Sequence, residues 1–230
     1  MAIAFVQQNT ATSGTGTAAA ALTSVAAGNF LIAMCTNSSG STNAFTVTDD
    51  KTQTWTRAAQ GFQTGAGNSR IEIWYCHNSG AGTTTITATS AGSSSTIAVQ
   101  EYSGVMTSAS LDVAAGGGNA TATTFGSVGQ ATTNANNLLL VGVNYNTVSG
   151  TNTATDNNNG AIWTANSSPA TSSQICLTDR AIVAATSTYS NNWTVGTTEP
   201  SGWVFASFKA AVVGGGSSNA ISGISKMRDF

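Results

Sequence analysis

Few side chains in this chain can do chemistry, and their spacing does not draw them together. His77 is the single histidine and follows Trp74-Tyr75-Cys76 at what reads as a strand end. A Ser-His-acid triad would have to use it, and no Gly-x-Ser-x-Gly elbow is there to present the nucleophile. Glu72 and Glu101 are the acids borne on strand-like segments. A glycosidase would need two such carboxylates about 5–10 Å apart across a cleft. Glu101 shares parity with Ile97 and Val99, which turns it inward just before Ser103-Gly104. We therefore expect it to accept hydrogen bonds from strand-end amides rather than to meet a substrate. Asp49-Asp50 and Asp156 stand in corresponding turns, each ahead of a tryptophan, Trp55 or Trp163. Acids in a loop can hold Ca2+ with backbone carbonyls. Thr48-Asp49-Asp50-Lys51 lacks the alternating acidic spacing of a dedicated calcium loop, however, and an Asx-turn accounts for an Asp at both places. Cys35, Cys76 and Cys176 match no zinc spacing. Cys35 and Cys76 sit in apolar strand patterns and read as buried thiols. We assign no catalytic residue, no metal ligand and no cofactor.

Ligand binding has better candidates than catalysis. In Arg70-Ile71-Glu72-Ile73-Trp74-Tyr75, alternation puts Ile71, Ile73 and Tyr75 on one face and Glu72 with Trp74 on the other. Trp74 is thus the tryptophan best placed for exposure, where its ring would suit the apolar face of a sugar. Trp74, Tyr75, Asp49 and Asp50 form the candidate ligand site. Trp55, Trp163 and Trp203 recur at equivalent strand positions and are expected in the core.

These residues must be carried by strands. Ala27-Gly28-Asn29-Phe30-Leu31-Ile32-Ala33 is echoed by Ala135-Asn136-Asn137-Leu138-Leu139-Leu140-Val141, 108 residues later (135 − 27). Asp49 maps on Asp156, Trp55-Thr56 on Trp163-Thr164, and the closing run Ile97–Tyr102 on Trp203–Phe208. Landmarks in step imply a duplicated β-rich unit. β-branched and aromatic runs bounded by Gly, Asn and Ser recur throughout, and no capped segment shows a 3.6-residue apolar period. Ala18-Ala19-Ala20-Ala21-Leu22 is the one helix-like run and is too short to stand alone. We expect an all-β, jelly-roll-like, two-sheet antiparallel sandwich over residues 1–213. Its halves are roughly 1–115 and 119–213, with Gly116-Gly117-Gly118-Asn119 as the linker between them and no separate core in either. Pro169 and Pro200 are expected in loops.

Charged residues make up only 7% of the 230, against about 25% in ordinary domains. The exterior must be hydroxyl- and amide-rich, a surface that associates with copies of itself without desolvating many charges. Seven scattered Lys and Arg and a net charge of −2 argue against nucleic acid as a partner. No run of about 20 apolar residues is present to span a membrane. The start of the sequence lacks a cationic, apolar leader, so synthesis in a cytoplasm is expected. After Val213, Gly214-Gly215-Gly216-Ser217-Ser218-Asn219 reads as a flexible spacer. It leads to a segment with Ile221, Ile224, Met227, Arg228 and Phe230, whose three-residue apolar spacing suggests a docking peptide for a neighbour or for the chain's own body.

The run Val47-Thr48-Asp49-Asp50, then Thr54-Trp55-Thr56, Ile73–Asn78, Thr84–Thr87 and Ile97–Gly104 resembles β-sandwich modules of phage virion proteins and bacterial surface proteins. The resemblance covers about residues 25–210. It implies a jelly-roll-like structural or adhesive part, without catalytic residues. With no leader sequence, the expectation shifts to the virion. There the chain would be a homo-oligomeric capsid decoration or a fibre or tail component, whose partners are other virion proteins and copies of itself. The alternative is a carbohydrate-binding or adhesin module for a host-surface glycan.

Overall fold

The two echoed segments dictate how the layers stack. Every residue of β3 (Phe30–Asn37) is buried, as is every residue of β11 (Asn137–Tyr145). A strand apolar on both faces needs cover on both sides, which a single pair of sheets cannot provide. The computed structural model describes residues 1–38, 44–63, 69–145, 155–156, 162–166, 169–171 and 174–212, and among these there is no helix. The docking peptide expected at 214–230, with Ile221, Ile224, Met227, Arg228 and Phe230, lies outside the described residues.

In the first half, β1 (Ala4–Ser13), β8 (Ser95–Ser103), β3, β6 (Arg70–Cys76) and β5 (Thr56–Phe62) form a five-stranded antiparallel sheet in that order. A smaller sheet, β2 (Thr17–Val25), β7 (Gly82–Thr89) and β4 (Thr46–Asp49), covers one of its faces. Leu31, Ala33 and Cys35 of β3 point into the space between them, with Leu22, Val47, Trp55, Ile86, Ile97 and Val99. The edge is closed by polar side chains, because Gln7 and Asn9 of β1 donate through their amides to the carbonyls of Thr23 and Ala21 in β2.

The second half repeats this plan. β9 (Leu111–Gly126), β17 (Asn192–Lys209), β11, β15 (Gln174–Val183) and β13 (Thr164–Ala165) pair in the order that β1, β8, β3, β6 and β5 take in the first. The duplicated turn before β3 and β11 keeps its conformation: Gly28 has φ +85° and Asn136, 108 residues on, has φ +57°. Glycine and asparagine are the residues that tolerate that region. The halves differ where strands bend. β17 and β9 each run on from the large sheet into the position of the small one, where Trp193 pairs with Phe125, and β12 (Thr155–Asp156) adds to that edge. Among the described residues the second half has four long strands and five of only two residues, where the first half has eight strands of four residues or more. β10 (Gln130–Ala131) pairs β16 (Thr188–Tyr189), and β14 (Ala170–Thr171) pairs β15.

The two large sheets meet face to face. Phe30, Ile32 and Met34 of β3, with Ile71, Ile73 and Tyr75 of β6, pack on Leu138 and Leu140 of β11 and on Val204, Ala206 and Phe208 of β17. Each half also has a core of its own, the second around Leu139, Val141, Trp163, Trp193, Trp203 and Phe205. The all-β antiparallel sandwich expected from the sequence is therefore present, as two small sandwiches fused through a third apolar layer. That corrects the expectation that neither half has a separate core.

Two further expectations are corrected. Gly116-Gly117-Gly118-Asn119 is no linker but part of β9. A Cβ on Gly116 would land on the carbonyl oxygen of Gln60, and one on Gly117 would press on the Trp203 indole. A Cβ on Gly61 of β5 would likewise strike the Trp203 carbonyl. The glycines let β5 of one half approach β9 and β17 of the other. Pro200 lies inside β17 rather than in a loop. The register shifts around Glu199, so its missing N–H falls at an irregularity, while its carbonyl accepts Gln63 Nε2 at 2.9 Å.

Candidate functional site

The carboxylates singled out by sequence are placed by turns and strand ends, and each faces N–H or O–H donors from its own chain. Glu101, fully buried at the end of β8, accepts Ala26 N at 3.0 Å, Asn29 Nδ2 at 2.6 Å and Gln7 Nε2. This ties the turn before β3 to the sheet. Asp112 of β9 ties the matching turn before β11, accepting Thr133 N at 3.0 Å, Asn134 Nδ2 at 2.7 Å and Asn137 Nδ2 at 2.6 Å, with Thr133 Oγ1. Asn29 and Asn137 are equivalent in the two halves; the acid that meets them comes from β8 in one and from β9 in the other. Burial alone would push the Asp112 carboxyl up, but these hydrogen bonds outweigh it and bring the pKa down to about 2. Asp112 was not found from sequence. The signal available was weak: an Asp beside a strand, opposite the Asn-rich run 134–137.

Asp49 behaves as an Asx-turn acid. Its Oδ1 accepts Lys51 N at 2.9 Å and Gln53 N at 3.0 Å, and its Oδ2 accepts Gln53 Nε2 and Trp55 Nε1, both at 2.8 Å. Burial opposes ionisation of this group, yet the donors still hold its pKa below the ordinary value. Exposed Asp50 accepts Thr85 N at 3.2 Å. N–H groups are thus aimed at both oxygens of Asp49 and at one oxygen of Asp50. Among the described residues no group of three or more His, Cys, Asp or Glu is arranged to hold a metal ion.

The remaining candidate, Trp74, sits on a built cluster. Glu72 is fully buried beneath it, with Oε2 accepting Trp74 Nε1 at 2.7 Å and Oε1 paired with Arg70 Nε. Arg57 Nη1 lies 3.5 Å from the same oxygen, with a side chain 38% exposed, and its guanidinium stands 5.9 Å over the Trp74 ring. Gln60 Oε1 accepts the other end of Arg70 at 2.6 Å. The acid thus fixes the indole and two guanidinium groups, leaving Trp74 and Arg57 partly open to solvent. Tyr75 does not join them. It points into the layer between the halves, 5.3 Å from the Phe208 ring centroid and 5.8 Å from that of Phe30. The four-residue site of Trp74, Tyr75, Asp49 and Asp50 is therefore not assembled. Alternation along β6 sends neighbours to opposite faces, and Asp49 is spent on its own turn.

His77, whose pKa burial lowers, has Nε2 2.7 Å from Ser110 Oγ. Cys35, Cys76 and Cys176 are buried free thiols, with Cys76 raised to about 11 and Cys176 to about 12, chiefly by burial. No family model, curated protein or solved structure matches the chain.

The structure adds one place that the sequence did not indicate. A cleft of about 610 Å³ opens at the end of the molecule where β1 starts and β17 finishes, lined by Met1, Ile3, Met106, Ile182, Val183 and Val212 among others. A second hollow of about 390 Å³ adjoins it through Met1, Ala211 and Val212.

Proposed function

We propose that this chain is a non-enzymatic structural protein of a bacteriophage virion, displayed on the particle as a capsid decoration or as a fibre or tail component. The observation that carries the reading is the commitment of the acids: Asp49, Glu72, Glu101 and Asp112 each hold a turn, a strand end or an arginine. None of these four is left over to move a proton for a substrate. Only 7% of residues carry charge, in a sequence rich in Thr, Ser and Asn. A sparsely charged exterior packs against copies of itself or other particle proteins at small desolvation cost. The resemblance of the Asp-Trp and Glu-Tyr-Ser-Gly stretches to virion β-sandwich modules supplies the setting. Particles purified through a density gradient and analysed by quantitative mass spectrometry should contain the protein in many copies per particle. Its presence in infected-cell lysate but not in particles would overturn the proposal.

One observation favours a second reading, a glycan-binding module. Trp74 is held in a fixed orientation by Glu72 and is partly exposed beside Arg57. A glycan array should then give sugar-specific signal that Trp74→Ala abolishes. Uniform background on the array removes this reading.

A further inference from the structure

The large sheet of the first half is wider than the sheet that covers it, five strands against three. Its inner strands β3 and β8 are buried almost throughout, but β5 and the adjoining face of β6 leave Arg57, Gln60, Phe62 and Trp74 partly or fully exposed. Strict alternation along β5 would send Arg57 the same way as Ala59, into the layer between the halves. A bulge in the β5–β6 pairing between Arg57 and Ala59 prevents this. It sets Arg57 opposite Trp74, on the outer face with Gln60 and Phe62. Buried Glu72 pairs with both Arg57 and Arg70, and the Arg70 guanidinium stands 4.7 Å over the Phe62 ring. This ledge therefore holds two cations against one acid, in a chain whose net charge is −2. Among the described residues Arg57 has that one ion pair, at 3.5 Å, and no hydrogen bond.

We infer that the ledge takes an acidic saccharide, with the sugar's carboxylate on Arg57 and an apolar ring face against Trp74; this rests on the glycan-binding reading and names its ligand. A guanidinium with open N–H groups meets the two oxygens of a carboxylate in one plane. The indole is already pinned through Nε1 on Glu72 at 2.7 Å, so it loses little freedom when a sugar packs on it. A neutral sugar would use the indole and leave the cation unanswered. A long polyanion needs a row of cations, and the seven Lys and Arg of this chain are dispersed. The bulge supports the assignment, because it brings to one surface a cation that the pleat alone would bury.

The test uses the full chain on an array of uronate- and sialate-terminated oligosaccharides, each printed as the free acid and as its methyl ester, beside sulfated and neutral sugars. Half-saturation should come at a protein concentration at least about tenfold lower on a free acid than on its ester, the scale of a hydrogen bond to a charged group. Arg57→Ala should erase that difference and leave the thermal midpoint in place, since Glu72 keeps Arg70. Trp74→Ala should remove binding to acid and ester alike. Equal binding of acids and esters that Trp74→Ala abolishes overturns the inference and leaves the glycan reading standing. Binding confined to sulfated sugars overturns it, as does a preference for acids that Arg57→Ala leaves intact. An array without sugar-specific signal removes the inference and the reading together.

Discussion

Asp112 shows how an acid can serve as a structural tie. Its folded pKa, about 2, lies below the unfolded value of about 3.9. The stabilisation it gives is therefore fully present above pH 4 and is lost as pH falls toward 2. Asp112→Ala should lower stability near neutral pH by about 2–3 kcal/mol, in line with the loss of charge-assisted hydrogen bonds that leaves donors unpaired. Urea midpoints taken between pH 2 and 7 should fall more steeply below pH 4 for the wild type than for the variant. Parallel curves would mean the carboxylate does not hold the turn. The thiols make a second residue-scale prediction. Cys35, Cys76 and Cys176 are buried and raised in pKa, so a disulfide reagent at pH 8 should label none until urea unfolds the chain. At this scale the sequence was readable where one residue meets its near neighbours. Asp49 as a turn acid and Glu101 as an inward strand-end acid followed from spacing and parity. Asp112 meets partners 21 to 25 positions away, across a connection whose path no local pattern fixes.

Elements owe their lengths to what packs on them. The alanines of β2 have a helical look in isolation, yet Ala18, Ala20 and Leu22 alternate inward against β7 and β8, and tertiary packing overrides propensity. The glycines of β9 read as a hinge because a glycine-rich run has two physical meanings, freedom and close approach. Here the second applies, since β5 leaves no room for a Cβ at Gly116. Gly116→Val should cost 3 kcal/mol or more, on the order of a severe overpacking defect. Gly14→Val, where a Cβ would meet nothing within 4 Å, should cost far less. Thermal midpoints of the two variants decide this, and equal shifts would refute the close approach. Phe208, fully buried in the layer between halves and 4.8 Å from the Phe30 ring, should cost about 3–5 kcal/mol when changed to Ala.

For the whole molecule, duplication was legible and layering was not. The echo of Phe30–Ala33 in Leu138–Val141 survives because β3 and β11 fill the same place in each half, apolar on both faces. Which of those faces meets the other half is decided by residues more than a hundred positions apart, and no periodicity encodes it. The outcome is a body whose two small sandwiches share a third core, with seventeen buried residues among those described. A shared layer of that extent should make the halves unfold together, and the proposed role as one sparsely charged block suited to assembly rests on that unity. The direct measurement follows two single-tryptophan variants through urea, one retaining Trp55 in the first core and one retaining Trp193 in the second. Coincident transitions with equal midpoints and slopes are predicted. Two separated transitions, one for each half, would contradict it.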